Sequence, residues 1–271
     1  MEVKEEHQLT FHIGLHKTGT TYLQQEMFPM LKYVSLIRAW DSHRKILNTG
    51  HQNILISDEG LSGNPYRGNY FKEFRENMES IHSIYKTSNI IVGVRKHSTL
   101  ILSLYKQYLQ QKGCENLDYL YNIENTGLIK DEDLLFEERI LILKELFENV
   151  FVYSQETLRE RPGDFLNQLC AFLNIEDKPN LEEIYTRERN VGVHTKLQVN
   201  LLKKLNKFSQ KKYINLYSPR FQKYRITPRI ICQDYLKNIK SEPYQISEDL
   251  KKYLDQRFLA DWEFALKHIS Y

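Results

Sequence analysis

The residue types near the start of the chain could bind a phosphate-like group. Residues 9–24 read LTFHIGLHKTGTTYLQ, an apolar run, a polar turn and the start of a helical pattern. Such a turn directs backbone N–H groups and the positive end of a helix toward one point, which suits an anion. Lys17 adds a positive charge to the turn, and Gly19 lets its backbone come close to a ligand. Three hydroxyls come from Thr18, Thr20 and Thr21. Walker A loops place Lys-Ser/Thr directly after their second glycine, so this turn is P-loop-like without being a Walker A loop.

Two further apolar runs end in polar side chains. Asn53–Ser57 is followed by Asp58 and Glu59, and Asn89–Val94 is followed by Arg95. Because ligands of open parallel sheets bind beyond the carboxyl ends of the strands, these side chains are expected beside the Lys17 turn. The combination predicts an anion site with a carboxylate at its border.

Arg95 is followed at a distance of eight positions by Ser103, about one and a half turns into the next predicted helix. Arginine offers a forked donor to phosphate oxygens and serine adds a hydroxyl. Glu59 is the candidate general base, because a positioned carboxylate can take a proton from a hydroxyl. Asp58, His16 and His97 remain alternatives for that role.

Strand and helix patterns alternate along the first two thirds of the chain, which predicts a parallel sheet covered on both sides. The chain from Leu197 onward reads as mostly helical. The predicted strands are Leu9–Gly14, Asn53–Ser57, Asn89–Val94 and Val150–Tyr153, and the predicted helices are Thr20–Leu31, Phe71–Tyr85, Thr99–Gln111 (capped by Ser98, ended by Gly113), Glu137–Glu148 and Gly163–Leu173.

The bulk properties exclude several classes of protein. The formal charge of +3 is too small to indicate nucleic acid as a partner. Three scattered cysteines favour neither a disulfide framework nor a zinc site. The sequence contains no run of about 18 apolar residues that would predict a membrane span, and its polar N-terminus is unlike a signal peptide. A cytoplasmic protein is therefore expected; oligomeric state is not specified.

The Lys-Thr-Gly-Thr-Thr turn, with Tyr22-Leu23-Gln24 after it, resembles the 5′-phosphosulfate loop of the PAPS-dependent sulfotransferase superfamily, especially its bacterial and carbohydrate members. PAPS is 3′-phosphoadenosine 5′-phosphosulfate, and PAP is the product left after sulfuryl transfer. The Arg95 and Ser103 pair resembles the 3′-phosphate site of that family. The resemblance extends over roughly Leu9 to Lys196 and includes a Tyr-x-x-Glu-x-Leu pattern from Tyr153.

The resemblance implies a P-loop-like three-layer α/β fold with a central parallel sheet. One domain would span 1–271, with an α/β core at 1–196 and a mostly helical extension at 197–271. It implies transfer of a sulfuryl group from PAPS to a hydroxyl acceptor, without a metal. A carbohydrate or glycoconjugate acceptor is favoured if Glu59 is the base, because carbohydrate members of the family commonly use a glutamate and the cytosolic small-molecule branch uses a histidine.

The resemblance also implies a role for each site residue. Lys17 would stabilise the departing 5′-phosphate, Thr18, Gly19, Thr20 and Thr21 would hold that phosphate, and Arg95 and Ser103 would hold the 3′-phosphate. Arg187, Arg189 and Lys196 would close over the nucleotide, while Tyr105, Gln107 and Gln111 would line the acceptor cleft.

Two other functions remain open from the sequence. Ile54–Glu59 also resembles a Walker B strand, which would make the chain a P-loop kinase or NTPase, with Asp58 assisting magnesium and Glu59 activating water. The displaced lysine is unlike that class. The third interpretation is a non-catalytic module that binds PAP without turnover.

Overall fold

The core of the protein is a sheet of five parallel strands. A computed structural model describes residues 8–38, 53–180, 195–211, 228–230, 232 and 241–270. The strands lie in the spatial order β2-β3-β1-β4-β5, so the turn that contains Lys17, called the lysine turn below, follows the central strand β1. Their bounds are β1 Gln8–Gly14, β2 Val34–Ile37, β3 Asn53–Ser57, β4 Asn89–Val94 and β5 Val150–Ser154.

Helices connect and flank these strands. The helix after β1 begins as α1 Thr20–Tyr22 and continues through a π-helical turn, Leu23–Met27, and a 3₁₀ turn, Phe28–Met30. The remaining helices are α2 Tyr70–Ile84, α3 His97–Gln110, α4 Leu117–Leu120, α5 Phe136–Leu146, α6 Gln155–Glu160, α7 Pro162–Phe172, α8 Lys196–Lys211, α9 Pro228–Ile230, α10 Glu248–Arg257 and α11 Leu259–Lys267.

The strands are apolar on both sides because both faces of the sheet are covered. Along β1 and β4, Phe11, Ile90 and Val92 belong to the core shared with α2, α3, α5 and the C-terminal helices. Ile91 of β4 points to the opposite core, which α7 and the segment after the lysine turn complete. These two cores and the sheet make the three-layer α/β fold that the sequence predicted.

The C-terminal helices pack on this core. Asp261 of α11 accepts hydrogen bonds from the backbone N–H groups of Phe136 and Glu137 at 3.0 and 2.8 Å, so it caps α5. Ser270 pairs with Val152 of the edge strand β5 through two hydrogen bonds. In the described part of the chain, no helix is long and apolar enough to cross a membrane.

Most predicted elements match the structure to within a few residues, but several features differ. The helix after β1 is irregular rather than a regular helix to Leu31; Pro29 lies in its last turn and removes a backbone donor. Strand β2 and the short helices α4 and α6 were not predicted. Ser98 was expected to cap α3, but the cap is Lys96, and the Ser98 hydroxyl donates to Asp255 at 2.7 Å.

Candidate functional site

The lysine turn lies at the carboxyl edge of the sheet between β1 and the start of α1. Its backbone enters the left-handed region at Lys17 and Gly19, with φ of 65° and 102°. Position 19 favours glycine, because its φ of 102° strains any side chain, and a Cβ atom there would also lie 2.9 Å from Leu158 Cδ2. The N–H groups of Gly19, Thr20 and Thr21 stand where a helix leaves its first donors unpaired.

The three threonines of the turn have different environments. Thr20 Oγ1 is buried and has no hydrogen-bond partner among the described residues, so it is an orphaned polar atom in the turn. Thr18 is fully buried, and its hydroxyl donates to Leu15 O at 2.7 Å. Thr21 is exposed. An anion in the turn would give Thr20 its missing partner, whereas the hydroxyl of Thr18 holds the turn itself.

Several cations in and around the turn lie close enough together to lower one another's pKa values. Burial lowers the pKa of Lys17, the nearby charges of Arg95 and Arg229 lower it further, and the carboxylate of Glu59 opposes both. Burial and the charge of Arg95 also lower the pKa of Lys106. Mutually repelling cations are stabilised when an anion lies among them. The electrostatics therefore favour a strongly anionic ligand.

Arg95 joins the end of β4 to the lysine turn. Its Nη1 donates to the backbone carbonyl of Lys17 at 3.0 Å, and its Nε donates to Thr99 Oγ1 at 3.0 Å. Ser103 is half-buried one turn after Thr99, on the same face of α3. Arg95 and Thr99 also line a cleft of about 370 Å³ with α6, bordered by Glu156 and Arg159.

Glu59 and Asp58 take different roles where β3 ends. Asp58 Oδ1 accepts a hydrogen bond from Gly60 N at 2.8 Å, so it caps the 3₁₀ turn Glu59–Ser62. Glu59 keeps 36% of its side chain exposed. Its charge raises the pKa of Lys17, which places the carboxylate near the ammonium group. Of the two neighbouring acids, Glu59 is the one available to a ligand.

The two candidate histidines lie in different places. His16 follows β1, and its Nδ1 is 3.6 Å from Glu59 Oε1. His97 is 2% exposed and lies between the rings of Phe136 and Phe258, with Nε2 3.1 Å from Asp261 Oδ2. His97 therefore belongs to the interface with the C-terminal helices, away from Glu59.

A buried chain of hydrogen bonds supports the turn from beneath. His12 Nδ1 is 2.6 Å from Ser57 Oγ, and its Nε2 is 3.0 Å from the hydroxyl of Tyr153. That hydroxyl lies 3.4 Å from Thr18 Oγ1, and Gln24 Nε2 donates to Ser57 Oγ at 3.0 Å. Burial lowers the pKa of His12 to about 3, so the ring stays neutral.

The other residues expected at the site are scattered. Tyr105 is 1% exposed and packs against Tyr244, while Gln111 is exposed after the end of α3. Lys196 is the first residue of α8, and its Nζ lies 2.6 Å from Glu242 Oε2. The contacts of these residues do not join them to the turn. Arg187 and Arg189 lie outside the described residues.

Lys106 was not identified from the sequence, and neither was the chain of hydrogen bonds that runs between the side chains of Gln24 and Thr18. Lys106 has a signal, since it lies seven positions after Thr99 and so returns to the same face of α3. His12 looked like an ordinary strand residue, because its partners come from β3 and β5. Within the residues that the structure describes, no group of three or more metal-ligating side chains is placed to hold a metal ion.

Comparison with known proteins gives the fold. No protein-family model matches the sequence, and no curated protein matches it significantly. Solved structures with a similar fold include a sulfotransferase from Alicyclobacillus acidocaldarius, which is 12% identical, with 68% of this chain and 87% of that chain covered and a TM-score of 0.51.

Two others have TM-scores of 0.42. The mouse sulfotransferase SULT7A1, solved with PAP, is 13% identical, and the alignment covers 69% of each chain. The sulfotransferase domain of the curacin biosynthetic pathway is 15% identical, with 93% of this chain and 98% of that chain covered. The likeness to the first of these structures, with a TM-score of 0.51, shows that this chain has the sulfotransferase fold.

Proposed function

We propose that the chain transfers a sulfuryl group from PAPS to a hydroxyl of a carbohydrate or glycoconjugate. The observation that carries this proposal is the contact between the two anion-binding elements. Arg95, at the end of β4, donates to the backbone of Lys17 in the turn after β1. A donor with phosphate groups at both ends of one nucleoside matches two adjacent cationic elements better than a single phosphate does.

The residues of the turn fit the 5′ end of this donor. The N–H groups at the start of α1, together with the unpartnered hydroxyl of Thr20, suit phosphate oxygens. Arg95 and the face of α3 that carries Thr99, Ser103 and Lys106 suit the 3′-phosphate. PAPS supplies an activated sulfuryl group whose leaving group is a phosphate oxygen.

The chemistry assigned to this chain is one proton transfer and one charge stabilisation. The hydroxyl oxygen of the acceptor forms a bond to sulfur while the bond between sulfur and the phosphate oxygen breaks. Glu59 takes the hydroxyl proton, and the electron pair of the broken bond stays on the phosphate oxygen, where Lys17 stabilises the charge. The influence of Glu59 on the pKa of Lys17 supports this pairing of base and cation.

The carbohydrate acceptor is proposed because the base is a carboxylate at an open edge. With 36% of its side chain exposed, Glu59 can meet a hydroxyl on a large, solvated acceptor. A cleft that admits only a small planar phenol would bury its base more deeply.

The test is transfer of label from radiolabelled PAPS to a panel of mono- and oligosaccharides, with EDTA present. We expect a labelled saccharide whose formation is lost in Lys17→Ala. Phosphorylation from ATP–Mg instead would support a kinase. PAP binding without transfer to any saccharide or phenol would indicate the non-catalytic module.

A further inference from the structure

His16 lies directly behind the proposed base. It is 9% exposed, and its Nε2 lies 2.8 Å from the backbone carbonyl of Gly63. The ring of Tyr70 packs against it edge-on, with centroids 5.9 Å apart. The imidazole is therefore held in one orientation by two separate elements.

This orientation determines which ring nitrogen carries the proton. A carbonyl oxygen only accepts hydrogen bonds, so Nε2 of His16 must be the donor to Gly63. In the neutral ring, Nδ1 then carries a lone pair. That atom is buried and has no hydrogen-bond partner among the described residues, and Glu59 Oε1 lies 3.6 Å away.

A lone pair that faces a carboxylate oxygen repels it, whereas a proton between the two atoms binds both. The pair of His16 and Glu59 thus gains a hydrogen bond when it acquires one proton. Four other groups face it: Lys17 from the turn, Tyr66 from the loop before α2, Tyr70 from α2 and the carbonyl of Gly63. Burial raises the pKa of both phenols, so the neutral phenols and the carbonyl do not supply that proton, and Lys17 is engaged with the ligand in the proposed reaction.

We infer that His16 is a positioning residue for Glu59, and that its Nδ1 receives the hydrogen bond of the glutamic acid formed when Glu59 takes the acceptor's proton. This inference rests on the proposed function. The acceptor oxygen binds sulfur, the bond from sulfur to the phosphate oxygen breaks, and the proton comes to lie between Glu59 and His16. His16 touches neither the donor nor the acceptor.

The first test needs no substrate. Nitrogen NMR of the protein with isotope-labelled histidine, in the absence of ligand, should show His16 protonated at Nε2 when the ring is neutral. In Glu59→Gln the amide can donate to Nδ1, so the Nδ1 signal should move to that of a hydrogen-bonded nitrogen. In Asp58→Asn it should stay where it is. A ring protonated at Nδ1, or an Nδ1 signal indifferent to Glu59→Gln, would overturn the inference while leaving the sulfotransferase proposal intact.

The second test is kinetic and uses PAPS with the saccharide that the transfer assay identifies. His16→Gln keeps an N–H for Gly63 and removes the basic nitrogen. We expect kcat to fall about tenfold, the equivalent of one hydrogen bond, with unchanged PAP affinity. The KM for the saccharide should stay unchanged, because His16 acts on the carboxylate of Glu59 and does not contact the acceptor.

A double-mutant cycle separates coupling from damage to the fold. In the Glu59→Gln background, His16→Gln should cost little further activity, since His16 acts only through the carboxylate. Multiplicative losses from the two changes, or a lower kcat accompanied by weaker PAP binding, would mean that His16 only supports the turn.

Discussion

At the scale of single residues, the site is a pairing of cations with one carboxylate. Lys17 and Arg95 meet through a backbone carbonyl, and Glu59 borders them with part of its side chain in solvent. Asp58, its neighbour in sequence, is engaged as a cap. Adjacent acids therefore have separable roles, which a pair of amide substitutions can distinguish.

Glu59→Gln keeps the shape of the side chain and removes its basicity. We expect turnover to fall by about 10²–10⁴-fold, the usual contribution of a general base. PAP affinity should change little, because Glu59 faces the acceptor rather than the nucleotide in the proposed reaction. The measurement is kcat with PAPS beside PAP affinity by calorimetry.

Asp58→Asn is the matched control, because an asparagine oxygen can still cap the turn. It should leave kcat within about threefold of the unmodified protein, which is less than 1 kcal/mol. A large loss in Asp58→Asn together with near-normal turnover in Glu59→Gln would contradict the assignment of the base.

The residues that follow a strand directly could be found from the sequence, since a strand end locates them at the ligand edge. Glu59 and Arg95 are of this kind. The contact of His16 with Glu59 and the position of His12 could not be found, because they depend on partners far along the chain. His12, for example, meets Ser57 and Tyr153 across 45 and 141 positions.

At the scale of elements, the turn rests on the buried chain between β1, β3 and β5. One assignment of donors and acceptors satisfies every hydrogen bond of this chain. Ser57 donates to His12 Nδ1, His12 Nε2 donates to Tyr153, and Tyr153 donates to Thr18. Thr18 in turn donates to Leu15 O. The chain requires a neutral imidazole, so it links the stability of the fold to pH.

The stability carried by His12 should decrease in acid. The pKa of His12 is about 3 in the folded protein and about 6.5 in the unfolded chain, so between these values the unfolded chain binds a proton that the native ring does not. This contribution is complete above pH 6.5 and is lost as the pH falls toward 3. We expect a slope near 1 kcal/mol per pH unit within that window.

His12→Gln provides the comparison, because its amide keeps a donor and an acceptor without a titrating group. At pH 7 the variant should be less stable by about 1–2 kcal/mol. The difference in unfolding free energy, from urea melts between pH 7 and 4, should shrink as the pH falls and change sign at about pH 5, because the slope removes more than the initial difference over this range. A difference that stays constant over this range would show that His12 is not held neutral.

At the scale of the whole molecule, the C-terminal helices hold α3 in place. Asn206 of α8 donates to two carbonyls at the end of α3, Leu109 O and Gly113 O, both at 2.7 Å. Asp255 of α10 accepts from Ser98 at the beginning of the helix. Since α3 carries the face beside Arg95, the helical extension helps to position the site. The sequence predicted these helices but gave no sign of where they dock.

Asp261 tests this docking, because its carboxylate accepts two backbone N–H groups of α5 and lies 3.1 Å from His97 Nε2. Asp261→Ala should lower the unfolding free energy by about 2–4 kcal/mol, since it leaves buried donors without an acceptor. Urea unfolding should show a lower midpoint with an unchanged m-value. Glu263→Ala, a change at an exposed position of the same helix, should leave the unfolding free energy within about 0.5 kcal/mol of that of the unmodified protein. Equal losses of unfolding free energy in the two variants would contradict the docking role of Asp261.

The central claim is that two adjacent elements recognise a nucleotide phosphorylated at both its 5′ and 3′ ends. The most direct measurement is calorimetric titration of PAP and ADP, with EDTA, into the unmodified protein and Arg95→Ala. PAP should bind the unmodified protein more tightly than ADP, and Arg95→Ala should remove about 2–4 kcal/mol of PAP affinity while changing ADP affinity much less. Equal affinities for PAP and ADP, a metal requirement, or an equal loss for both nucleotides in Arg95→Ala would contradict the account.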